Sequence, residues 1–416
     1  MNDLHARLAA SFDETAALAL LRRAMGVPSV TGAEAAFAAV LANELHRIGA
    51  ENVRTAEFLP GRPNVTATRR SGSDRPPVLL IGHTDTVHVR GWRERWAGDP
   101  REDPFGGAIA DGCLWGRGAA DLKAGICMTL AAVHLLDQAG IPLAQDVQFA
   151  FVGDEESGEP GSGVSAGMRH FCRDLDDGTL PRPGFAVYVE PTCLNVYAAQ
   201  IGFFIADITV RGRSAYFGVP EQGVDALKAT HAILSALWTH DAAIRRAGDH
   251  PLVGGSFLLV TGIEGGGFIA VPETCRVSLI RKLRPGEDLD EARLAMEAAI
   301  HGAALHPDIR VEIRYPAGRD HPVGGIPFET LPNEPELRRL IGCIQAMAPE
   351  RGAIEGAPFW SEASFLTARG IPAVYFAPGD IRICHTFEER VPIQEYREGI
   401  LALALFLAGA GRQTCC

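Results

Sequence analysis

The chain has 416 residues, 47% hydrophobic and 22% charged, with a net charge of −12. That length favours two domains over one, and the composition is that of a globular enzyme. The acidic balance, with no Lys/Arg cluster, argues against nucleic acid as a partner. Met1–Leu20 is peppered with Asp, His, Arg and Glu and lacks the apolar centre of a signal peptide. The longest apolar run, Ile400–Ala410, is too short for a bilayer and reads as a buried helix, so no membrane partner is expected. Nine cysteines are scattered, odd in number and adjacent only at Cys415-Cys416; this is reduced-thiol usage and points to the cytoplasm.

In chain order, Thr31-Gly-Ala-Glu34 has the form of a capping box and predicts a helix to about Gly49. Val78–Ile81 is a short, wholly apolar run of the kind buried parallel strands show. Asp121–Ala139 reads as an amphipathic helix, and Val147–Val152 and Phe185–Val189 as further strands. This βαβα order predicts an α/β fold with a doubly wound, mostly parallel sheet. From about Gly202 the rhythm changes. A strand (Phe204–Val210), a helix (Val224–Arg246), two strands (Ser256–Thr261, Arg276–Leu283), a helix (Leu289–Ala304) and a strand (Ile309–Arg314) give the ferredoxin-like order β-α-β-β-α-β. After Pro316 the βα style returns, with a helix near Glu334–Met347, a strand at Ala373–Phe376 and a terminal helix. The expected organisation is a catalytic domain of residues 1–202 and 316–416 interrupted by an inserted domain of residues 203–315.

Four stretches carry chemistry: Gly82-His83-Thr84-Asp85, Gly118-Ala-Ala-Asp121, Asp154-Glu155-Glu156-Ser157 with Glu190-Pro-Thr192, and Cys384-His385-Thr386. Each lies where a predicted strand runs out, the sheet edge at which α/β active sites gather. Two imidazoles with several carboxylates are a ligand set that zinc, manganese or cobalt accepts. The set holds one carboxylate more than a metal needs, and the spare is a candidate general base. Glu155 and Glu156 are adjacent, so on a loop their side chains diverge. One can ligate a cation while the other faces its bound water, whose pKa a metal lowers to about 7. His83 and Asp85 share a face at i, i+2, where the Asp85 carboxylate can take the second imidazole N–H. Taken singly, Asp121 reads equally as a helix N-cap, Glu190 as polar punctuation and His385 as a loop residue; their joint occurrence carries the weight.

These segments resemble the metallohydrolase family that includes acetylornithine deacetylase, succinyl-diaminopimelate desuccinylase, aminoacylase and glutamate carboxypeptidase. Particularly similar are Gly116-Arg-Gly118…Asp121-Leu-Lys-Ala-Gly125, Glu190-Pro-Thr192, and Ser361-Glu-Ala-Ser-Phe365 leading to Ala377-Pro-Gly-Asp-Ile381…His385. The resemblance covers nearly the whole chain. It implies His83, Asp121, Glu156, Glu190 and His385 as ligands of one or two divalent ions, with Asp121 bridging. It further implies Glu155 as general base, Asp85 as orienter of His83, and the inserted domain as a lid through which a homodimer or higher homo-oligomer forms. The typical reaction is deacylation of a small N-acyl amino acid.

The chain departs from its relatives in the lid. Tyr216 stands where the family usually has a histidine, and a phenol donates one hydrogen bond without bringing positive charge. Ile269 replaces an asparagine and cannot hydrogen-bond a substrate. His88 stands where a proline commonly follows the first motif. Arg281 is retained and can bind a carboxylate. An aromatic pocket suits an alternative within the family, a nitroanthranilate aminohydrolase-like hydrolysis of an aryl amine. A non-catalytic binding protein on the same fold is the alternative from another class; retention of Glu155 with all the candidate ligands counts against it.

Overall fold

A computed structural model describes residues 2–157 and 162–411; Cys415-Cys416 lies outside the described residues. The chain divides into two compact units, one of Met1–Ala198, Thr330–Glu355 and Phe365–Cys416, the other of Ala199–Glu329 and Gly356–Ser364.

At the centre of the first unit the strand Val78–His83 pairs in parallel with Val147–Val152 on one side and Phe185–Tyr188 on the other. Ala373–Tyr375 continues the parallel run beside Phe185–Tyr188. Val78 to Ile81 are fully buried, as strands covered by helices on both faces must be. The flanks differ from the mostly parallel expectation. Glu51–Leu59 and Arg62–Arg69 form an antiparallel hairpin, and the latter runs antiparallel to Val147–Val152. Tyr197 likewise meets Tyr375 in antiparallel register. The sheet is therefore mixed. Arg62–Arg69 is buried along most of its length although it carries Asn64, Thr66 and Thr68, so no apolar run announces it.

Two expected helix starts are displaced, both toward the functional loops. The helix predicted from Thr31 begins at Ala35, and Glu34 precedes it without a side-chain cap. Thr31 instead donates its hydroxyl to Asp85 at 3.0 Å, and Glu34 receives Arg62. Asp121 has non-helical backbone angles (φ −119°, ψ 90°) within an irregular turn over Ala119–Lys123, and the regular helix is Ala124–Gln138. The whole stretch Ala119–Gln138 is apolar and long enough to cross a membrane by composition, yet 94% of its apolar window is buried in the protein. The Ile400–Ala410 run falls largely in the buried face of the helix Ile393–Leu407.

Close approach explains two glycines here. A Cβ on Gly125 would sit 2.3 Å from the Val189 carbonyl oxygen, and one on Gly82 would meet Leu122 and Val189 side chains at 2.8 Å. Without side chains at both positions, the Asp121 turn can settle against the strand ends that carry His83 and Glu190.

In the second unit, strands Phe257–Gly265, Thr274–Leu283, Gly202–Arg211 and Arg310–Arg314 lie side by side in that order, all antiparallel. Gly202–Arg211 alternates buried and half-buried residues. Phe204, Ala206, Ile208 and Val210 join the helix residues Ile233, Leu237, Met296 and Ile300 in one core. Both helices, Ala226–Arg245 and Leu289–His301, are capped by aspartates, Asp225 and Asp288. The unit extends past the 203–315 span marked out by the sequence pattern, since Gly324–Gly325 adds a further pairing to Gly202–Arg211.

Candidate metal centre

The parallel strands end side by side, and the residues just past their ends converge. The His83 Nε2 lies 3.1 Å from Asp121 Oδ1 and 3.7 Å from Glu190 Oε1. The other Asp121 oxygen, Oδ2, lies 3.0 Å from His385 Nε2, which is also 3.0 Å from Glu156 Oε1. Asp121 is thus the hub, with one oxygen toward each imidazole. His83, Glu155 and Glu156 form a further group whose ligand atoms lie within 4.8 Å of one another. His83, Asp121, Glu156 and Glu190 are all buried, whereas the His385 side chain is 53% exposed.

These residues fit a cation on two counts. The His83 Nδ1 lies 2.9 Å from the Asp85 carbonyl oxygen, which can only accept, so Nδ1 carries the proton. In the neutral ring Nε2 then presents a lone pair to the oxygens of Asp121 and Glu190, acceptor against acceptor. Either a second proton or a metal ion must lie between them. Asp121 Oδ1 is buried and makes no well-directed hydrogen bond. The spacing agrees as well: two ligands each about 2.0–2.2 Å from a tetrahedral ion sit roughly 3.5 Å apart.

Protons and a cation compete for the same lone pairs. Burial opposes the charged form of His385, but hydrogen bonds to Asp121 and Glu156 outweigh it and the imidazole rises to about 11. His83 is likewise raised well above its ordinary value against its own burial, through the Asp121 carboxylate 3.1 Å away and the charge of Glu190. Burial, then the Asp121 charge, pushes Glu156 up to about 7. Protons on the imidazoles therefore compete with a divalent ion for the same nitrogens. Metal loading should release protons, and affinity should strengthen as pH rises and weaken as it falls. Calorimetric titration in buffers of different ionisation enthalpy reads the release directly; a binding enthalpy independent of buffer would contradict it.

Asp85 departs from its expected part. Its carboxylate Oδ1 is 3.8 Å from His83 Nδ1, and the backbone carbonyl takes the imidazole N–H instead. The carboxylate faces the neighbouring loop, where it accepts the backbone N–H groups of Glu155 at 3.2 Å and Glu156 at 2.9 Å. Asp154 fixes the same loop from its other side. It adopts a left-handed φ of 73°, and its carboxylate accepts N–H groups of Gly163, Val164 and Ala166 and an arginine N–H from Arg62. The half-buried Glu155 therefore stands on a backbone held by two carboxylates.

The remaining expected residues lie in the second unit. Tyr216 and Ile269 are exposed (60% and 54%), beside Phe217 and the 92%-exposed Phe268, and Tyr216 pairs with Ala270. Arg281 is corrected. Its side chain is buried, and its guanidinium donates to Glu287 at 2.5 Å and to the Lys282 carbonyl, so it offers no open fork to a substrate carboxylate. Sequence reasoning missed Thr31, Glu34, Arg62, Arg117 and Glu389. Their neighbours give no common signal: Glu389 stands between Glu388 and Arg390, and Arg117 between two glycines.

The strand ends of this α/β sheet gather imidazoles and carboxylates around one aspartate, a donor set that suits a divalent cation. The chain belongs to Peptidase family M20/M25/M40, which it matches over residues 79–409. It is 29% identical to succinyl-diaminopimelate desuccinylase of Caulobacter sp. (strain K31) over 93% of both chains. It is 26% identical to acetylornithine deacetylase of Proteus mirabilis (strain HI4320) over 89% of this chain and 90% of that protein. Several other desuccinylases are 31% identical to it, but over only about half of each relative, 55% in one case. The fold is that of aminopeptidase PepT from Bacillus cereus ATCC 10987, with a TM-score of 0.71 at 18% identity over 97% of this chain and all of that one.

Proposed function

We propose that the protein hydrolyses a C–N bond in a small carboxylate-bearing substrate, with His83, Asp121, Glu156, Glu190 and His385 holding one or two ions of zinc, manganese or cobalt. The observation that carries this reading is the Asp121 carboxylate, placed at 3.1 Å from one imidazole and 3.0 Å from the other. A bound divalent ion supplies Lewis acidity and lowers the pKa of water. Glu155 acts as general base: it takes the proton from the attacking water and returns it to the departing nitrogen. Asp85 keeps Glu155 in reach by holding its backbone N–H, and the Asp85 carbonyl keeps His83 in the tautomer that presents Nε2.

The relatives' names favour deacylation of an N-acyl amino acid. A second reading, hydrolysis of an aromatic amine, is favoured by the exposed Tyr216, Phe217, Phe268 and Ile269. A non-catalytic role leaves the placement of Glu155 beside the cluster without purpose. The test is to strip the protein with a chelator, reload manganese, zinc or cobalt, and assay a panel of N-acyl amino acids and aminobenzoates. Failure of every metal to restore hydrolysis of any C–N substrate would remove the proposal.

We read the second unit as a ferredoxin-like domain through which two copies associate. Its edge strand Phe257–Gly265 carries exposed Leu259 and Ile263, and the helix packed against that strand carries exposed Trp238. Apolar edge strands left uncovered are aggregation sites, so a partner is expected there. Ile263→Lys should turn a dimer into a monomer by sedimentation; a wild-type protein that is monomeric at micromolar concentration contradicts the reading. The free thiols of the described cysteines suit a reducing compartment, and we place the protein in the cytoplasm.

A further inference from the structure

Among the proposed ligands, His385 is the least enclosed. Side-chain exposure is 1% for His83, 5–6% for Asp121, Glu156 and Glu190, and 53% for His385. Its backbone has φ 63°, in the left-handed region that a non-glycine residue occupies only when its surroundings impose it. Side-chain packing does not hold this ligand, so the hold must come through the chain that follows it.

That chain is gripped residue by residue. Arg117 donates to the Thr386 carbonyl at 3.4 Å. The Trp96 indole donates to the Phe387 carbonyl at 2.9 Å, and the Phe387 ring meets Trp92 edge-on at 6.3 Å. Glu388 pairs with Arg95 at 3.3 Å. Glu389, fully buried, is bonded to Arg117 and accepts the backbone N–H groups of Ala120 and Asp121, each at 3.3 Å. Arg390 lies over the Trp115 ring at 4.6 Å.

The gripping segment is itself rigid. Trp92, Trp96 and Trp115 form one buried cluster, and their indoles donate to backbone carbonyls. The Arg101 guanidinium stacks 3.7 Å from the Trp96 ring.

We propose that the Trp92–Arg117 segment is a positioning clamp that holds the loop after His385, through Trp96 and the Arg117–Glu389 pair, so that His385 and Asp121 keep the separation metal binding needs. Trp96 and Glu389 touch no reacting atom and act through the ligands. Glu389 serves both, because its carboxylate bonds the Asp121 backbone while its own backbone continues from His385. The proposal rests on the metal-site reading above.

The test measures affinity of the chelator-stripped protein for Mn²⁺ and Zn²⁺ by competition with a metallochromic indicator, alongside circular dichroism to verify the fold. Residues that orient metal ligands typically contribute 10–100-fold in affinity. Trp96→Phe keeps the ring and loses the N–H donor; it should weaken binding by about 10-fold. Glu389→Gln should weaken it by a similar factor, and it carries the test should Trp96→Phe fail to fold. A residue that acts through His385 has nothing to position once that imidazole is gone, so the Trp96→Phe loss should vanish in a His385→Ala background. A merely structural residue would give the same loss in both backgrounds. Wild-type affinity in both Trp96→Phe and Glu389→Gln, or an undiminished Trp96→Phe loss without His385, overturns the clamp. His385→Ala alone separates the two readings. If it leaves affinity unchanged, the ligand assignment fails; if it weakens binding while the clamp variants do not, only the clamp fails.

Discussion

Glu155→Gln is expected to fold and take up metal as the wild type does, and to turn over at least ~100-fold more slowly, since a general base contributes roughly 10²–10⁴ in rate. The substitution is isosteric, and the main-chain N–H that Asp85 holds at 3.2 Å is untouched, so the loop has no reason to move. What changes is that an amide cannot carry the proton between water and leaving group. Glu156→Gln and His385→Ala should behave oppositely. Glu156→Gln removes a negative charge and His385→Ala removes an imidazole from the group around Asp121, so metal affinity falls first and activity returns in part at high metal concentration. Metal content and kcat, measured on the same samples, separate the two kinds of loss. A fully active Glu155→Gln enzyme would show that another group accepts the proton.

What the sequence disclosed follows from how each piece is stabilised. Strands buried on both faces are usually rich in apolar residues, so Val78–Ile81, Val147–Val152 and Phe185–Tyr188 were legible. Arg62–Arg69 is equally buried but spends its polar residues on neighbouring loops; Asn64 donates to the Gly167 carbonyl and accepts from Gly153 N–H, and no periodicity betrays that. The two misplaced helix starts share one cause. Thr31 and Asp121 have the residue types that cap helices, but tertiary demands claim them, one for the Asp85 carboxylate and the other for two imidazoles. Local chemistry predicted a cap because it could not see the competitor.

The site was legible as a list of residues and illegible as a geometry. Which carboxylate sits at the hub, and that the Asp85 carbonyl rather than its carboxylate holds His83, depend on a chain turn that spacing along a strand does not encode. Arg281 failed for the same reason. Its half-buried partner Glu287 stands six residues further on, beyond the end of the strand Thr274–Leu283, and nothing in that spacing indicated that it would fill the fork.

The second large effect concerns the substrate. The family resemblance implies a histidine and an asparagine at the positions of Tyr216 and Ile269, and both of these residues are exposed beside Phe217 and Phe268. A substrate that depends on a polar partner loses orders of magnitude when that partner is absent, because its own buried polar group is left unpaired. On that ground N-acetylornithine and N-succinyl-diaminopimelate should be cleaved with kcat/KM at least ~100-fold below that for a flat aromatic amine bearing one carboxylate, such as an aminobenzoate. Arg281 as it stands does not supply that carboxylate's partner, so Arg281→Lys should change the aromatic KM little. Tyr216→His should raise kcat/KM for the acyl substrate by about 10-fold, the order that one restored charged hydrogen bond contributes. Steady-state kinetics on both substrate classes, with the wild type and Tyr216→His loaded with the same metal, give the answer. Efficient acyl cleavage by the wild type would make Tyr216 a tolerated variant and leave deacylation as the reaction.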